Sequence, residues 1–344
     1  MAREPIVRPL GEGIEDRQRD DALRPKRLSE VIGQKAVVEK LRIAITACRK
    51  FNEPLGHILF DGPPGLGKTT FATVLPNELG TTIQMTSGPA LTKPADLMPY
   101  LTNASEGSVI FIDEIHRMPR VVEEFLYSAM EDFRVDIVLG EGVNARTLSV
   151  PLKRFTLIGA TTRSGMLAGP MRDRFKMHEH LDFYSVDELA EIITINARKL
   201  RVELAPAAAR EIAARSRGTP RVANARLWWA RYFATSEADG RITLEVARAA
   251  LLMAEVDSQG LDKQDRRYLE TLIGVFEGGP TGVEALAATM NLSVDTLTDD
   301  VEPYLLREQF ITRTPRGRLA TPRAYQHLGR TPRSPPGPQP TLFE

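Results

Sequence analysis

The chain has 344 residues, 42% hydrophobic and 26% charged, a composition that fits two or three water-soluble globular domains and excludes a fibrous or low-complexity protein. Its 45 Lys plus Arg and 45 Asp plus Glu give a formal net charge of +0, so any nucleic-acid surface has to be local. The single cysteine, Cys48, excludes an intramolecular disulfide and a cysteine zinc cluster. It reads as a helix-packing residue in a reducing cytoplasm. Met1 to Pro5 open no signal-peptide core, and no uncharged apolar run reaches membrane-spanning length, so a cytoplasmic protein with no membrane contact is expected.

Residues 1–20 are charged and aperiodic and read as a mobile arm. From Ala36 to Phe51, Val37, Val38, Leu41, Ile43, Ala44 and Ala47 recur at helical spacing. The apolar run His57 to Phe60 then predicts a buried parallel strand leading into Gly62-Pro63-Pro64-Gly65-Leu66-Gly67-Lys68-Thr69-Thr70, with a helix from Thr69 to Leu79 behind it. Strand, G-x-x-x-x-G-K-[ST] loop and helix together predict a phosphate-binding loop. Glycines let backbone N–H groups face an anion, and the helix N-terminus adds partial positive charge. Gly65, Gly67, Lys68, Thr69 and Thr70 are the candidate nucleotide contacts, Lys68 toward the outer phosphates and Thr69 toward a magnesium ion.

A short strand over Thr81 to Met85 and a partly helical stretch from Pro89 to Leu101 precede Val109-Ile110-Phe111-Ile112-Asp113-Glu114. Four apolar residues ending in two acids predict a strand that brings carboxylates to the sheet edge where the phosphate loop opens. Asp113 is the candidate magnesium ligand and Glu114 the candidate for polarising an attacking water. A helix from Pro119 to Met130 follows. Between residues 134 and 152 short β-branched pieces around a turn predict a β-hairpin insertion, either a partner contact or a surface decoration. Phe155 to Ala160 is the next core strand, and Thr162 beyond it can sense a γ-phosphate or position water. Arg172 and Arg174 flank Asp173, as a solvated helix face does or as an arginine finger offered to a neighbouring subunit does.

At Ser185 the pattern changes to helices alone, opening with the capping box Ser185 to Glu188 and continuing at about 186–200, 206–216, 220–236 and 243–254. Thr219 suits an N-cap and Pro220 the first helical position, which puts Arg221 in a first turn, where the helix dipole disfavours a cation unless a phosphate offsets it. Helical segments at 262–276, 283–290 and about 294–306, then a strand pair 309–312 and 318–321 around Pro315-Arg316-Gly317, predict a winged helix. Seven arginines and no lysine between Tyr304 and Arg333 form a local footprint for phosphates, although winged helices also bind proteins. Residues 331–344 are Pro-rich and read as a disordered tail.

In this order, Leu23-Arg24-Pro25, Asp61 to Thr70, Phe111 to His116, Gly159 to Gly165, Arg172 to Phe175, Gly218 to Arg221 and Arg313 to Arg318 resemble the RuvB family of AAA+ Holliday-junction branch-migration motors over about residues 20–330. The resemblance implies an α/β P-loop domain with a parallel sheet (21–184), a small all-α domain (185–255) and a C-terminal winged-helix head (256–330). It implies Leu23 and Arg24 on the adenine side of ATP, Tyr184 near the base, and Glu131, Asp132 and Phe133 lining the site. Thr162 is similar to the first sensor residue, Arg174 to the finger acting in trans, and Arg221 to the second sensor. Arg313 and Arg318 would touch DNA phosphates, with Arg316 a weaker candidate. Also implied are ATP and Mg2+, a homo-hexameric ring on the double-stranded arms of a Holliday junction, the junction-binding protein RuvA docked on hairpin 134–152, and the resolvase RuvC as a further candidate partner. Recombination, DNA repair and the SOS response to DNA damage are the implied setting. Lys176 stands where the family usually has glycine, and Trp228-Trp229 is unusual, with one ring expected in the core and the other partly exposed.

The activity expected is ATP hydrolysis driving DNA translocation. The alternatives are a nucleotide-switched loader or scaffold, and a winged-helix regulator with an accessory ATPase.

Overall fold

The computed structural model describes residues 22–139 and 146–331. The predicted arm and tail, and the hairpin turn at 140–144, lie outside the described residues.

A five-stranded parallel sheet of order β2-β3-β6-β1-β7 organises the first half of the chain: β1 (Ile58–Asp61), β2 (Ile83–Ser87), β3 (Ser108–Asp113), β6 (Phe155–Thr161) and β7 (Met177–His180). The strands read as unbroken apolar runs because both faces are covered. Phe60, Phe111 and Ile158 point into one core with the helices Lys35–Phe51 and Lys68–Leu79. Leu59, Ile110, Ile112 and Leu157 point into the other, with Pro94–Thr102 and Arg120–Glu131. Each such side chain, fully buried, contributes about 1.5–3 kcal/mol. His57 joins three elements just below β1: Nδ1 accepts the Leu157 N–H at 2.9 Å, and Nε2 faces the Met130 carbonyl at 3.0 Å. Burial holds its pKa below the usual value, which keeps the neutral tautomer these two bonds need.

Strand β7 is absent from the sequence reading. Met-His-Glu-His has neither an apolar run nor β-branched residues, and the segment is a strand because β1 offers it a free edge in parallel register. Its buried Glu179 is paired with Lys40 at 2.9 Å. The insertion is a hairpin as expected, with β4 (Arg134–Leu139) antiparallel to β5 (Arg146–Pro151).

Four helices follow, Val186–Lys199, Pro206–Ala214, Pro220–Glu237 and Leu244–Met253. The capping box forms, Ser185 N–H donating to Glu188 Oε2 at 2.8 Å and Glu188 N–H to Ser185 Oγ at 3.2 Å. Leu189, Ile193, Ile212 and Leu227 continue the first of the two sheet cores. Both tryptophans are half-buried, contrary to the expected core and surface split: Trp229 Nε1 donates to the Ala250 carbonyl at 2.7 Å, while Trp228 lies 6.0 Å from the Tyr232 ring.

The C-terminal unit has its own core around Tyr268, Leu286, Leu297 and Phe310. Its helices are Lys263–Gly274, Val283–Met290 and Glu302–Arg307, the last entered through a π-helical stretch Thr296–Val301. The wing is β8 (Ile311–Thr314) and β9 (Gly317–Ala320), with Thr281 bridged to Arg318 beside it. Its strands sit one or two residues from the expected positions because Gly317, at φ 133, closes the turn and begins β9. The helix Pro322–His327 after the wing was not anticipated. This head is fastened to the helical unit by Arg217, which pairs with Asp262 and Asp265, and by Arg307, whose Nη1 donates to the Arg217 carbonyl at 3.2 Å.

Candidate nucleotide site

The parallel sheet puts the C-terminal ends of β1, β6 and β3 side by side, and the chemistry-bearing residues leave from those ends. After β1 the chain turns through Gly65 (φ 79) and Gly67 (φ 102), conformations that exclude most side chains, and enters its helix at Lys68. Lys68 is buried and donates from Nζ to the carbonyls of Gly62 at 2.6 Å and Pro63 at 2.8 Å. Burial lowers its pKa to about 8, although Asp113 and Asp61 pull the other way. Thr69 and Thr70 occupy the first turn, half-buried.

Asp113 ends β3 and accepts the Glu114 N–H at 2.9 Å. Glu114 takes a left-handed conformation at φ 46, and its carboxylate pairs with Arg117 at 3.2 Å. Strand β6 lies between β3 and β1, so Thr162 just past its end stands between the acids and the phosphate loop. Its Oγ1 is buried and has no hydrogen-bond partner among the described residues. A buried hydroxyl without a partner is costly, and a phosphate oxygen or bound water would satisfy it.

The helical unit closes over the loop. Arg221 N–H approaches the Gly65 carbonyl at 3.4 Å, and a Cβ on Gly65 would stand 3.1 Å from that of Arg221, whose side chain is exposed. Thr219 does occupy the N-cap position, but its hydroxyl turns back to the Ser216 carbonyl at 3.4 Å rather than capping. Tyr184 is buried beside the loop with Oη donating to the Leu66 carbonyl at 3.3 Å, and burial pushes its pKa up to about 12. Leu23 is buried, its carbonyl accepting from Lys199 at 2.8 Å, so Leu23 and Arg24 lie at the seam between sheet and helical unit.

Glu131, Asp132 and Phe133, expected to line the site, and Arg174, expected to act in trans, lie at the other end of the sheet. Helix Arg120–Glu131 runs from the C-terminal edge of β3 back to the opposite end of the sheet, which carries Glu131, Asp132 and Phe133 away from this chain's own phosphate loop. Arg174 is there too. It donates to Glu131 at 2.8 Å and to the Pro170 carbonyl at 2.7 Å, and lies 4.3 Å from the Tyr127 ring centroid. A cleft of about 530 Å³ opens beside them, where Lys176 packs on Gly56.

Two of the wing arginines are engaged inside the head. Glu302 is fully buried, and it receives Arg313 at 2.6 and 2.9 Å, Arg318 at 2.9 and 3.2 Å, and the Tyr268 hydroxyl at 3.0 Å. The Arg318 side chain is only 17% exposed and its charge is already compensated, so it holds the wing, whereas Arg313 is 48% exposed. Arg316, the weaker candidate by resemblance, is exposed at the wing tip and makes no ion pair among the described residues.

Asp113, at the end of β3, and Thr69, in the first turn of the loop helix, are oxygen donors of the kind a magnesium ion takes; no cluster of three or more His, Cys, Asp or Glu able to hold a metal occurs among the described residues. No helix among those residues is long and apolar enough to cross a membrane.

A phosphate loop on a parallel sheet, two acids at the end of β3, one strand removed from β1, and a helical lid bearing an arginine define a nucleotide-binding P-loop ATPase of the AAA+ class. Family models identify which one: the Holliday junction DNA helicase RuvB P-loop domain matches residues 23–181, the RuvB AAA lid domain 184–257 and the RuvB C-terminal winged helix domain 258–329. The chain belongs to the RuvB family. It is 61% identical over 311 residues to the Holliday junction branch migration complex subunit RuvB of Rhodopirellula baltica, covering 90% of this chain and 85% of that one. With the subunit of the same name from Chloroflexus aurantiacus the identity is 53%, covering 96% and 94%. The solved Thermotoga maritima RuvB Holliday junction branch migration motor superimposes with a TM-score of 0.83 at 46% identity, covering 90% of this chain and 99% of that one.

Proposed function

We propose that this protein is the ATP-driven motor of Holliday-junction branch migration, working as a hexameric ring on duplex arms with a junction-binding partner docked on the hairpin 134–152. The observation that carries the ring is the separation of Lys68 and Arg174 at opposite ends of one sheet, because a complete site then needs two chains.

In the proposed mechanism, the loop amides and Lys68 hold the outer phosphates, with Arg221 above them and Leu23, Arg24 and Tyr184 on the adenine side. Thr69 and Asp113 would hold magnesium, which when bound supplies charge neutralisation between those phosphates. Glu114 orients and polarises the attacking water, and Thr162 Oγ1 hydrogen-bonds the γ-phosphate or that water. Arg174 of the neighbouring subunit, presented with its Glu131, Asp132 and Phe133, stabilises charge developing in the transition state. We assign 21–184 to the ATPase domain, 185–255 to the lid and 256–330 to the DNA-contacting head.

Arg174→Ala is expected to keep ATP affinity and lower hydrolysis by about 10³-fold or more. Mixing it with Lys68→Ala protein should restore part of the activity, because some interfaces then pair an intact loop with an intact finger. Full activity in Arg174→Ala alone would contradict the composite site.

A further inference from the structure

Two neighbouring residues at the end of β6 face in different directions. Thr162, just past the end of β6, keeps its hydroxyl buried and without a partner among the described residues, whereas Arg163 reaches out of the ATPase unit and grips the head. Its Nε donates to Asp299 Oδ1 at 3.0 Å, and its Nη2 to Asp299 Oδ1 and Oδ2, each at 2.9 Å, to Asp295 Oδ1 at 2.8 Å and to Thr298 Oγ1 at 2.9 Å. The acceptors lie in and just before the π-helical stretch Thr296–Val301, which runs directly into Glu302–Arg307. Glu302 is the buried carboxylate that anchors the wing through Arg313 and Arg318. A fork that uses both carboxylate oxygens of Asp299 fixes direction as well as distance, unlike a lone surface ion pair.

We propose that Arg163 is a positioning residue that couples the nucleotide site to the DNA-contacting head, through Asp299 and the helix that carries Glu302. The proposal rests on the motor reading above. Hydrolysis at the end of β6 displaces Arg163 with Thr162, and the head follows because Asp295 and Asp299 both accept from the Nε/Nη2 edge of the guanidinium.

The full-length Asp295→Asn/Asp299→Asn variant keeps the shape of both side chains and removes the charges. Affinity for a fluorescent duplex is measured with ADP and with a non-hydrolysable ATP analogue, for the wild type and the variant, together with ATP affinity and DNA-free hydrolysis. In the wild type the two nucleotides should change duplex affinity by about fivefold or more, and in the variant that ratio should fall to near one while ATP affinity and DNA-free hydrolysis stay within about twofold. Arg163→Lys should give an intermediate ratio, because a single ammonium cannot reproduce the planar fork. A wild-type ratio retained in the variant overturns the proposal, as does wild-type binding that is indifferent to nucleotide. Loss of ATP affinity along with the ratio also overturns it, since the clasp would then be holding the nucleotide site itself. A wild-type chain that does not bind duplex at all contradicts the motor reading instead.

Discussion

Lys68 shows how the backbone of one loop sets the chemistry of one side chain. Its ammonium is enclosed by the carbonyls of Gly62 and Pro63, and burial brings its pKa to about 8. Phosphate oxygens favour the charged form, so the pKa rises when nucleotide binds. Below about pH 7 the ammonium is charged with or without ligand, and affinity should not vary with pH through Lys68. Above about 8 the free protein loses that proton and binding has to take it up again, weakening affinity by up to about tenfold per pH unit. Nucleotide titrations across this range should show the break near pH 8, and Lys68→Ala should lack it. The placement of residues in a local motif was legible in the sequence: Gly65, Gly67, Lys68, Thr69, Asp113 and Glu114 all lie at one sheet edge. The ion pairs of Arg313 and Arg318 were not legible because their counter-charge, Glu302, lies on a different element, and nothing local shows that this glutamate is buried.

Strands and helices were legible wherever burial imposed a pattern on them. The doubly covered strands β1, β3 and β6 show as apolar runs, and the lid helices show their 3.6-residue period. Strand β7 has no such pattern, since its pairing with β1 and the ion pair of Glu179 with Lys40 come from tertiary structure. In the wing the distinction between anchor and contact is testable. Arg318→Ala strips a fully buried carboxylate of one of its two cations, Arg313 remaining, and should destabilise the head by about 1–3 kcal/mol, visible as a lower melting temperature. Arg316→Ala should change stability by no more than about 0.5 kcal/mol. It should instead weaken duplex binding alike for all sequences and reduce the salt dependence by about one ion. Equal thermal stability of the two variants would refute the assignment of Arg318 as the anchor.

For the whole molecule, the decisive geometry is a distance that spacing along the chain cannot reveal. Lys68 and Arg174 both belong to the P-loop unit, yet a sheet lies between them, with Glu131 and Phe133 on the Arg174 side. Arg217 and Arg307 fasten head to lid, and Arg163 fastens head to sheet, so a change at the nucleotide can be passed to the wing within one chain. The central claim is that this assembly moves DNA junctions. The direct measurement is the ATP-dependent conversion of a synthetic four-way junction into separate duplexes, with the junction-binding partner present. The account predicts conversion that requires ATP, is lost in Lys68→Ala and is lost in Arg174→Ala; hydrolysis at the full rate with the junction left in place would contradict it.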